Sequence, residues 1–146
     1  MSSSFQQRLQ RKTEDCFVSS KCVEELSESA FNPFRVWELK KWEVGVPTLL
    51  LYYVPWCIRC QEMHAVFCAA AAFASFADFC AFNCEKRCRH FQTIRDDLPS
   101  LVRTFPTLVG YQNGRPVEEF RGPRSTARLV QFCMRLALQK DPDPVS

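Results

Sequence analysis

The chain has 146 residues, the size of one ordinary domain, and its 47% hydrophobic and 24% charged residues predict a globular fold with a packed core. Its net charge of +3 is small, and no basic cluster is interleaved with aromatic residues, which argues against nucleic acid as a partner. No apolar run reaches the roughly 18 to 20 residues that a membrane-spanning helix needs, so we expect no membrane insertion.

The sequence divides into a central domain and two tails. Residues 1–20 are polar and patternless and are predicted to form a flexible tail, residues 21–139 form the domain, and residues 140–146 form a C-terminal tail. Residues 1–8 lack the apolar region of a secretory leader, and residues 143–146 carry no lipidation or retention signal.

The cysteine content is high. Nine cysteines in a chain of this size leave at least one thiol without a partner in the same chain. Cys68, Cys80 and Cys133 have apolar, periodic surroundings and are predicted to be small core residues. The abundance favours an oxidising compartment, whereas no leader is visible. Two alternatives stay open: a fragment or isoform that lacks its leader, or a protein of a reducing compartment.

The segment before the central motif predicts an edge strand, a helix and a buried strand. Residues 22–26 read as the edge strand. Asn32 and Pro33 predict a helix start, with asparagine as the N-cap and proline at the first helical position. Residues 48–54 form an apolar run without alternation, which indicates a strand that is buried on both faces.

The central motif is Pro-Trp-Cys-Ile-Arg-Cys at residues 55–60, where the buried strand gives way to a helix predicted from Cys57 to about Ala77. Free N–H groups and the macrodipole at a helix start favour an anion, so the Cys57 thiol should ionise more easily. Cys60 lies one turn later on the same face, within disulfide reach. The motif predicts a redox pair in which Cys57 is the exposed nucleophile and Cys60 the less exposed resolving thiol.

The second half of the chain predicts further strands and a final helix. Residues 79–83 read as a second buried strand, parallel to the first through a right-handed crossover. Residues 85–104 are polar with short helical pieces, and Asn113-Gly114 between two apolar runs predicts a hairpin. Ser125 is the predicted cap of the last helix.

The order of these elements resembles the thioredoxin fold, and the motifs resemble its protein disulfide isomerase branch, over roughly residues 22–138. Tyr-Val-Pro-Trp-Cys at 53–57 is similar to that family's lead-in to the redox pair. Phe-Pro-Thr at 105–107 is similar to its cis-proline segment, and Phe-Arg-Gly-Pro-Arg at 120–124 to the segment before its last helix. The resemblance implies an α/β fold, with a central mixed β-sheet and helices on both faces.

The resemblance also assigns roles to residues around the pair. Trp56 would shield the two cysteines, Pro106 in the cis form would hold a substrate backbone beside them, and Arg124 would swing toward Cys60 and lower its pKa. Blander alternatives stay open. Trp56 could belong only to the core, Arg124 could be a solvated turn residue, and Pro106 could serve only to end strand pairing.

The first departure from the family pattern that bears on activity concerns two buried positions beneath the pair. The buried acid and lysine that usually lie beneath the pair are Leu51 and Ala81 here, which should slow resolution by Cys60.

The residues between the two cysteines also differ from the family pattern. Arg59 places a positive charge near the Cys57 sulfur, which favours the thiolate and makes the disulfide more oxidising. Ile58 adds bulk where a substrate would approach.

Cys84 and Cys88 form a second pair of cysteines. The family often has a structural disulfide here with wider spacing, so a bridge between these two is an open possibility. The rival is a zinc site made of both cysteine pairs, which a helix and a strand between the pairs disfavour. We expect no metal and no organic cofactor.

The leading hypothesis is a thiol–disulfide oxidoreductase of the disulfide isomerase type, which acts on unfolded or disulfide-containing protein clients through Cys57 and Cys60. The alternative is a redox-weak thioredoxin-fold module that holds client proteins with little turnover. The resemblance implies the lumen of the endoplasmic reticulum as the location.

Overall fold

The computed structural model describes residues 22–139, so the predicted tails at 1–20 and 140–146 lie outside the described residues. No helix in the described range is long and apolar enough to span a bilayer. The elements, with one 3₁₀ turn at Glu28–Ala30, are β1 (Val23–Glu25), β2 (Thr48–Tyr53), α1 (Ile58–Phe73), β3 (Asp78–Asn83), α2 (Cys88–Asp97), β4 (Thr107–Gln112), β5 (Arg115–Glu119) and α3 (Thr126–Leu138).

One five-stranded mixed sheet organises the domain, with the strand order β1-β3-β2-β4-β5. β1 and β2 both pair with β3 in parallel, whereas β4 pairs antiparallel with β2 and with β5. All six residues of β2 are buried, which is why its sequence shows an apolar run without alternation. The predicted mixed α/β sheet and the parallel crossover from β2 to β3 are confirmed.

Helices cover both faces of the sheet, as the resemblance implied. On one face α1 packs through Phe67, whose ring meets Phe79 of β3 edge-on at 5.2 Å between centroids. α3 covers the same face above Gly110 of β4, where an added Cβ would meet side chains of that helix. On the opposite face α2 places His90 against Phe82, at 5.8 Å between ring centroids.

The predicted helix from Asn32 is wrong. The Asn32 side chain does accept hydrogen bonds from the backbone N–H groups of Phe34 and Arg35, as a cap would. The backbone then pairs elsewhere: Leu39 donates to the Gly114 carbonyl at 2.9 Å, and residues 31–40 form turns and an isolated bridge. Phe34 is 91% exposed, so its ring does not pack against the sheet. Long-range pairing overrides the local helix signal.

The redox helix is shorter than predicted. α1 ends at Phe73 rather than near Ala77, because the N–H of Ala74 makes the last helical bond, to Ala70, and a turn then leads into β3.

The three predicted core cysteines divide into two groups. Cys80 and Cys133 are buried as expected, whereas Cys68 is only half-buried.

The predicted hairpin between β4 and β5 is confirmed, and its turn gives a first test. Asn113 and Gly114 both have positive φ, at 52° and 79°. A Cβ on Gly114 would lie 2.6 Å from the backbone oxygen of Leu39, so Gly114→Ala should cost about 2 to 5 kcal/mol of stability from backbone strain and steric conflict. Gly45 has a similar φ of 83° with no atom near its missing Cβ, so Gly45→Ala should cost only about 1 to 2 kcal/mol.

Urea unfolding of the parent and both variants checks this prediction. Equal losses of unfolding free energy at positions 45 and 114 would show that contact with the Leu39 carbonyl contributes nothing.

Candidate active site

Cys57 lies where β2 ends and α1 begins. It occupies the N-cap position of α1 with extended backbone angles, and its carbonyl accepts the first helical hydrogen bond, from Gln61 at 3.0 Å. The N–H of Cys57 donates to the Val54 carbonyl at 3.2 Å, and the Gln61 amide donates to the Pro55 carbonyl at 2.9 Å. These bonds fix the sharp turn that places the first thiol at the helix start.

The two thiols of the motif have different environments, although both are free. Cys57 is half-buried and Cys60 is fully buried. Burial raises the pKa of Cys60 to about 12, and its hydrogen bond with Cys57 and the charge of that neighbour add to the shift, against a lowering by the N–H of Val54. The arrangement matches the predicted pair, with one accessible thiol and one buried thiol that stays protonated at neutral pH.

The segment that contains Pro106 approaches the pair from β4. The Phe105–Pro106 peptide bond is cis, and the Cys57 thiol donates to the carbonyl of Phe105 at 3.9 Å between sulfur and oxygen. The ring of Phe105 in turn packs on Phe91 of α2, at 5.5 Å between centroids. Residues 48 positions apart in the chain therefore meet at the Cys57 thiol.

Arg124 joins the site from the loop before α3. Its Nη2 donates to the carbonyl of Pro106 at 3.2 Å, and its positive charge lowers the pKa of Cys60, against the larger effects that raise it. The guanidinium therefore contacts the proline segment, although Arg124 as a whole is exposed, as a solvated turn residue would be. Its catalytic role stays a prediction.

Apolar side chains surround the accessible thiol on the outside. Trp56 is 67% exposed and Ile58 is 68% exposed, and Arg59 beside them is exposed as well. The alternative that Trp56 belongs only to the core is therefore wrong. The three side chains present an apolar surface with one positive charge to any molecule that approaches Cys57.

Beneath the pair, the two positions of the usual buried ion pair are apolar. Leu51 and Ala81 are adjacent in the β2–β3 register, and both are fully buried. Sequence reasoning missed a nearby carboxylate on β1: the Tyr53 hydroxyl donates to both oxygens of Glu25, at 3.1 and 3.0 Å. The only signal for it was a glutamate in a short predicted edge strand, whose register the sequence does not fix.

The possible bridge between Cys84 and Cys88 is not formed. Cys84 is buried at the end of β3, with its thiol 3.6 Å from the Phe82 carbonyl, whereas Cys88 is exposed in the first turn of α2. This difference in burial between the two thiols also disfavours the zinc alternative. Within residues 22–139, no group of three or more metal-binding side chains is assembled.

The position of Arg124 leads to a prediction for the resolving step. Arg124→Ala removes a charge that lowers the pKa of Cys60, so this pKa should rise, the thiolate fraction should fall, and resolution of a Cys57 mixed disulfide should slow several-fold at pH 7. Arg121→Ala is the matched control, because Arg121 pairs with Glu119 at 3.0 Å. Rapid-quench mass spectrometry of the mixed disulfide measures the rate, and equal rates in the two variants would contradict the prediction.

Comparison with known proteins identifies the architecture. The family model described as thioredoxin matches residues 37–135. Human ERp44 is similar in structure with a TM-score of 0.62 and 21% identity, over 81% of this chain and 33% of that protein. The J-Trx1 fragment of ERdj5 gives 0.61 and 20%, over 81% of this chain and 51% of the fragment.

A third similar structure is a single thioredoxin. A mutant thioredoxin from Halobacterium salinarum NRC-1 gives a TM-score of 0.53 and 23% identity, over 65% of this chain and 78% of that one. The chain thus spans about a third of ERp44 and about half of the ERdj5 fragment. At these identities the similarity establishes the shared fold.

Proposed function

This chain belongs to the thioredoxin family, and from that premise we propose that it is a thiol–disulfide oxidoreductase of the protein disulfide isomerase type. One observation carries the proposal: a half-buried thiol at the start of a helix is followed, one turn later, by a fully buried thiol whose pKa it helps to raise. Pro106 and Arg124, from two other segments, complete the surroundings of the pair.

The geometry supports a two-step exchange. The Cys57 thiolate attacks one sulfur of a client disulfide, a Cys57–client disulfide forms, and the other client sulfur leaves as a thiolate that takes up a proton. Cys60 then loses its proton and attacks the Cys57 sulfur. The Cys57–client bond breaks, the second client sulfur leaves as a thiolate and is protonated, and the Cys57–Cys60 disulfide remains. The client is reduced and the pair oxidised; the reverse sequence oxidises a client.

The proposed clients are unfolded or disulfide-containing protein chains. Trp56 and Ile58 offer exposed apolar surface on either side of Cys57, and such surface suits chains whose own apolar residues are not yet buried. Pro106 lies beside the nucleophile with no N–H of its own. A client backbone could therefore lie along this segment without competition from a donor at that position.

A second candidate, a client-trapping module with little turnover, has its own support. The pKa of about 12 at Cys60 leaves only a small thiolate fraction at neutral pH, and the apolar pair Leu51 and Ala81 supplies no base. Slow resolution would prolong the mixed disulfide with the client. This candidate differs from the first in the rate of the second step, while the site is the same.

We further propose the lumen of the endoplasmic reticulum as the site of action. The proposal draws on the resemblance to disulfide isomerases and on the similarity in fold to ERp44 and ERdj5. Immunofluorescence of the tagged full-length gene product against a luminal marker tests it. A purely cytosolic signal would contradict it.

A Cys60→Ser variant separates the two functions. With a disulfide-containing unfolded client, it should accumulate a Cys57–client disulfide on a non-reducing gel, because the resolving thiol is missing. If the parent turns over insulin and only the variant accumulates adducts, the chain is an oxidoreductase. If the parent accumulates adducts as well, the trapping function is correct. If neither forms adducts, both proposals are wrong.

A further inference from the structure

An arginine from the loop before α3 contacts the segment that approaches Cys57. The Nη2 of Arg124 donates to the Pro106 carbonyl at 3.2 Å. The preceding carbonyl, of Phe105, accepts the hydrogen bond of the Cys57 thiol at 3.9 Å. The guanidinium and the thiol therefore contact carbonyl groups of consecutive residues, and only one peptide unit separates the two contacts.

A second arginine, on α2, is connected to the same segment through two packed rings. The guanidinium of Arg95 lies over the ring of Phe91, at 5.5 Å from its centroid. The Phe91 ring in turn packs on the ring of Phe105, at 5.5 Å between centroids. Two different elements, α2 and the loop before α3, thus bring positive charge to the segment that contains Pro106.

Both guanidiniums keep donors for a further acceptor. Within residues 22–139, the ion pairs engage other arginines, and none includes Arg95 or Arg124. Both residues are exposed. A guanidinium has five N–H donors, and stacking on a ring face uses none of them. Such a planar group suits a carboxylate, to which it donates two parallel hydrogen bonds.

Further positive charge lies close to the same contact along the chain. Arg59 follows Cys57 by two residues, Arg103 precedes Phe105 by two, and both arginines are exposed. The acids of α1, α2 and the two adjoining loops are Glu62, Asp96 and Asp97. In the described part of the chain, none of these acids forms an ion pair with an arginine. The charges around the site are therefore not neutralised by local pairing.

We propose that Arg95 and Arg124 select protein clients that carry aspartate or glutamate within about three residues of the reactive cysteine. The inference rests on the proposed oxidoreductase function and names the class of client. Three residues of an extended chain span about 10 Å, so such a carboxylate reaches the arginines while the client sulfur is at Cys57. Nucleic acids and anionic lipids also attract arginine, but they offer Cys57 no sulfur to attack.

Synthetic peptides with a single cysteine, blocked as a mixed disulfide with 2-thiopyridine, test the inference. One peptide carries aspartate on both sides of the cysteine, and matched peptides carry asparagine or lysine at the same positions. When Cys57 attacks the peptide sulfur, a Cys57–peptide disulfide forms and thiopyridine leaves, and its absorbance gives the rate constant. The rate of a Cys57→Ser variant is subtracted, because Cys22 and Cys88 are also exposed thiols.

The measured quantity is the ratio of the rate constants for the aspartate and asparagine peptides, in which any general change of thiol reactivity cancels. Exposed ion pairs are weak, so at low salt we expect a ratio of about five in the parent, and the lysine peptide should be the slowest. Arg95→Gln and Arg124→Gln should each lower the ratio about twofold. In 1 M salt the parent's ratio should fall towards one, because the Debye length is then only about 3 Å.

Arg115→Gln is the matched control. Arg115 is an exposed arginine that pairs with Glu38 at 3.5 Å, and it lies in the hairpin at the end of β4 that is remote from Pro106. This variant should keep the parent's ratio.

Three results would overturn the selection of acidic clients: a ratio of one in the parent, a ratio that 1 M salt leaves unchanged, or equal ratios in the Arg95→Gln, Arg124→Gln and Arg115→Gln variants. A parent that releases thiopyridine from every peptide no faster than Cys57→Ser would instead overturn the proposed function.

Discussion

Replacing Cys57 with serine is expected to lower the rate of dithiothreitol-coupled insulin reduction at least about 100-fold. The thiolate at this position forms the first covalent bond with the client, and a serine hydroxyl stays protonated at neutral pH and makes no disulfide. The buried Cys60 cannot replace it, since its pKa of about 12 leaves it protonated and its side chain is inaccessible to a client.

A matched control separates this loss from a general effect of thiol removal. Cys88 is an exposed thiol in the first turn of α2, as Cys57 is a partly exposed thiol at the start of α1. Cys88→Ser should leave the insulin reduction rate within about twofold of the parent. Comparable activity in the Cys57→Ser variant and the parent would show that the thiol pair has no enzymatic role.

The second large effect concerns the helix that carries Cys60. Phe67 is fully buried and contacts the ring of Phe79 across the interface between α1 and the sheet. Phe67→Ala should lower the free energy of unfolding by about 3 to 5 kcal/mol, because it removes the buried ring and leaves a cavity. Urea denaturation followed by circular dichroism measures the loss.

The same helix offers the control. Phe73 ends α1 and is 79% exposed, so Phe73→Ala should change the free energy of unfolding by no more than about 0.5 kcal/mol. A similar loss in both variants would mean that α1 is not anchored through Phe67. In that case the burial of the Cys60 side chain, which depends on how α1 packs against the sheet, would need another explanation.

The strands and the start of α1 were predictable from the sequence because local pattern and tertiary environment agree there. The run at 48–54 is apolar throughout, and the structure buries β2 on both faces. The helix predicted from Asn32 failed because its cap signal is genuine but the N–H of Leu39 pairs with Gly114, a residue 75 positions away. The local sequence pattern does not predict a backbone hydrogen bond to a residue so distant in the chain.

The candidate site was predictable to a different extent for each residue. The spacing of Cys57 and Cys60 at the boundary between a strand and a helix predicted this pair, whereas the placement of Pro106 and Arg124 beside it came from the resemblance. Glu25 was missed because its position depends on the register of a three-residue strand against β3. Register is set by packing across the sheet, which a single sequence does not reveal.

The most direct test of the redox account is disulfide mapping by mass spectrometry after equilibration of the full chain with glutathione buffers of graded potential. We expect a Cys57–Cys60 disulfide to form reversibly and to be the first bridge to appear as the buffer becomes more oxidising. If Cys57 and Cys60 remain free while other cysteines pair, or if Cys57 pairs only with another cysteine, the account is contradicted.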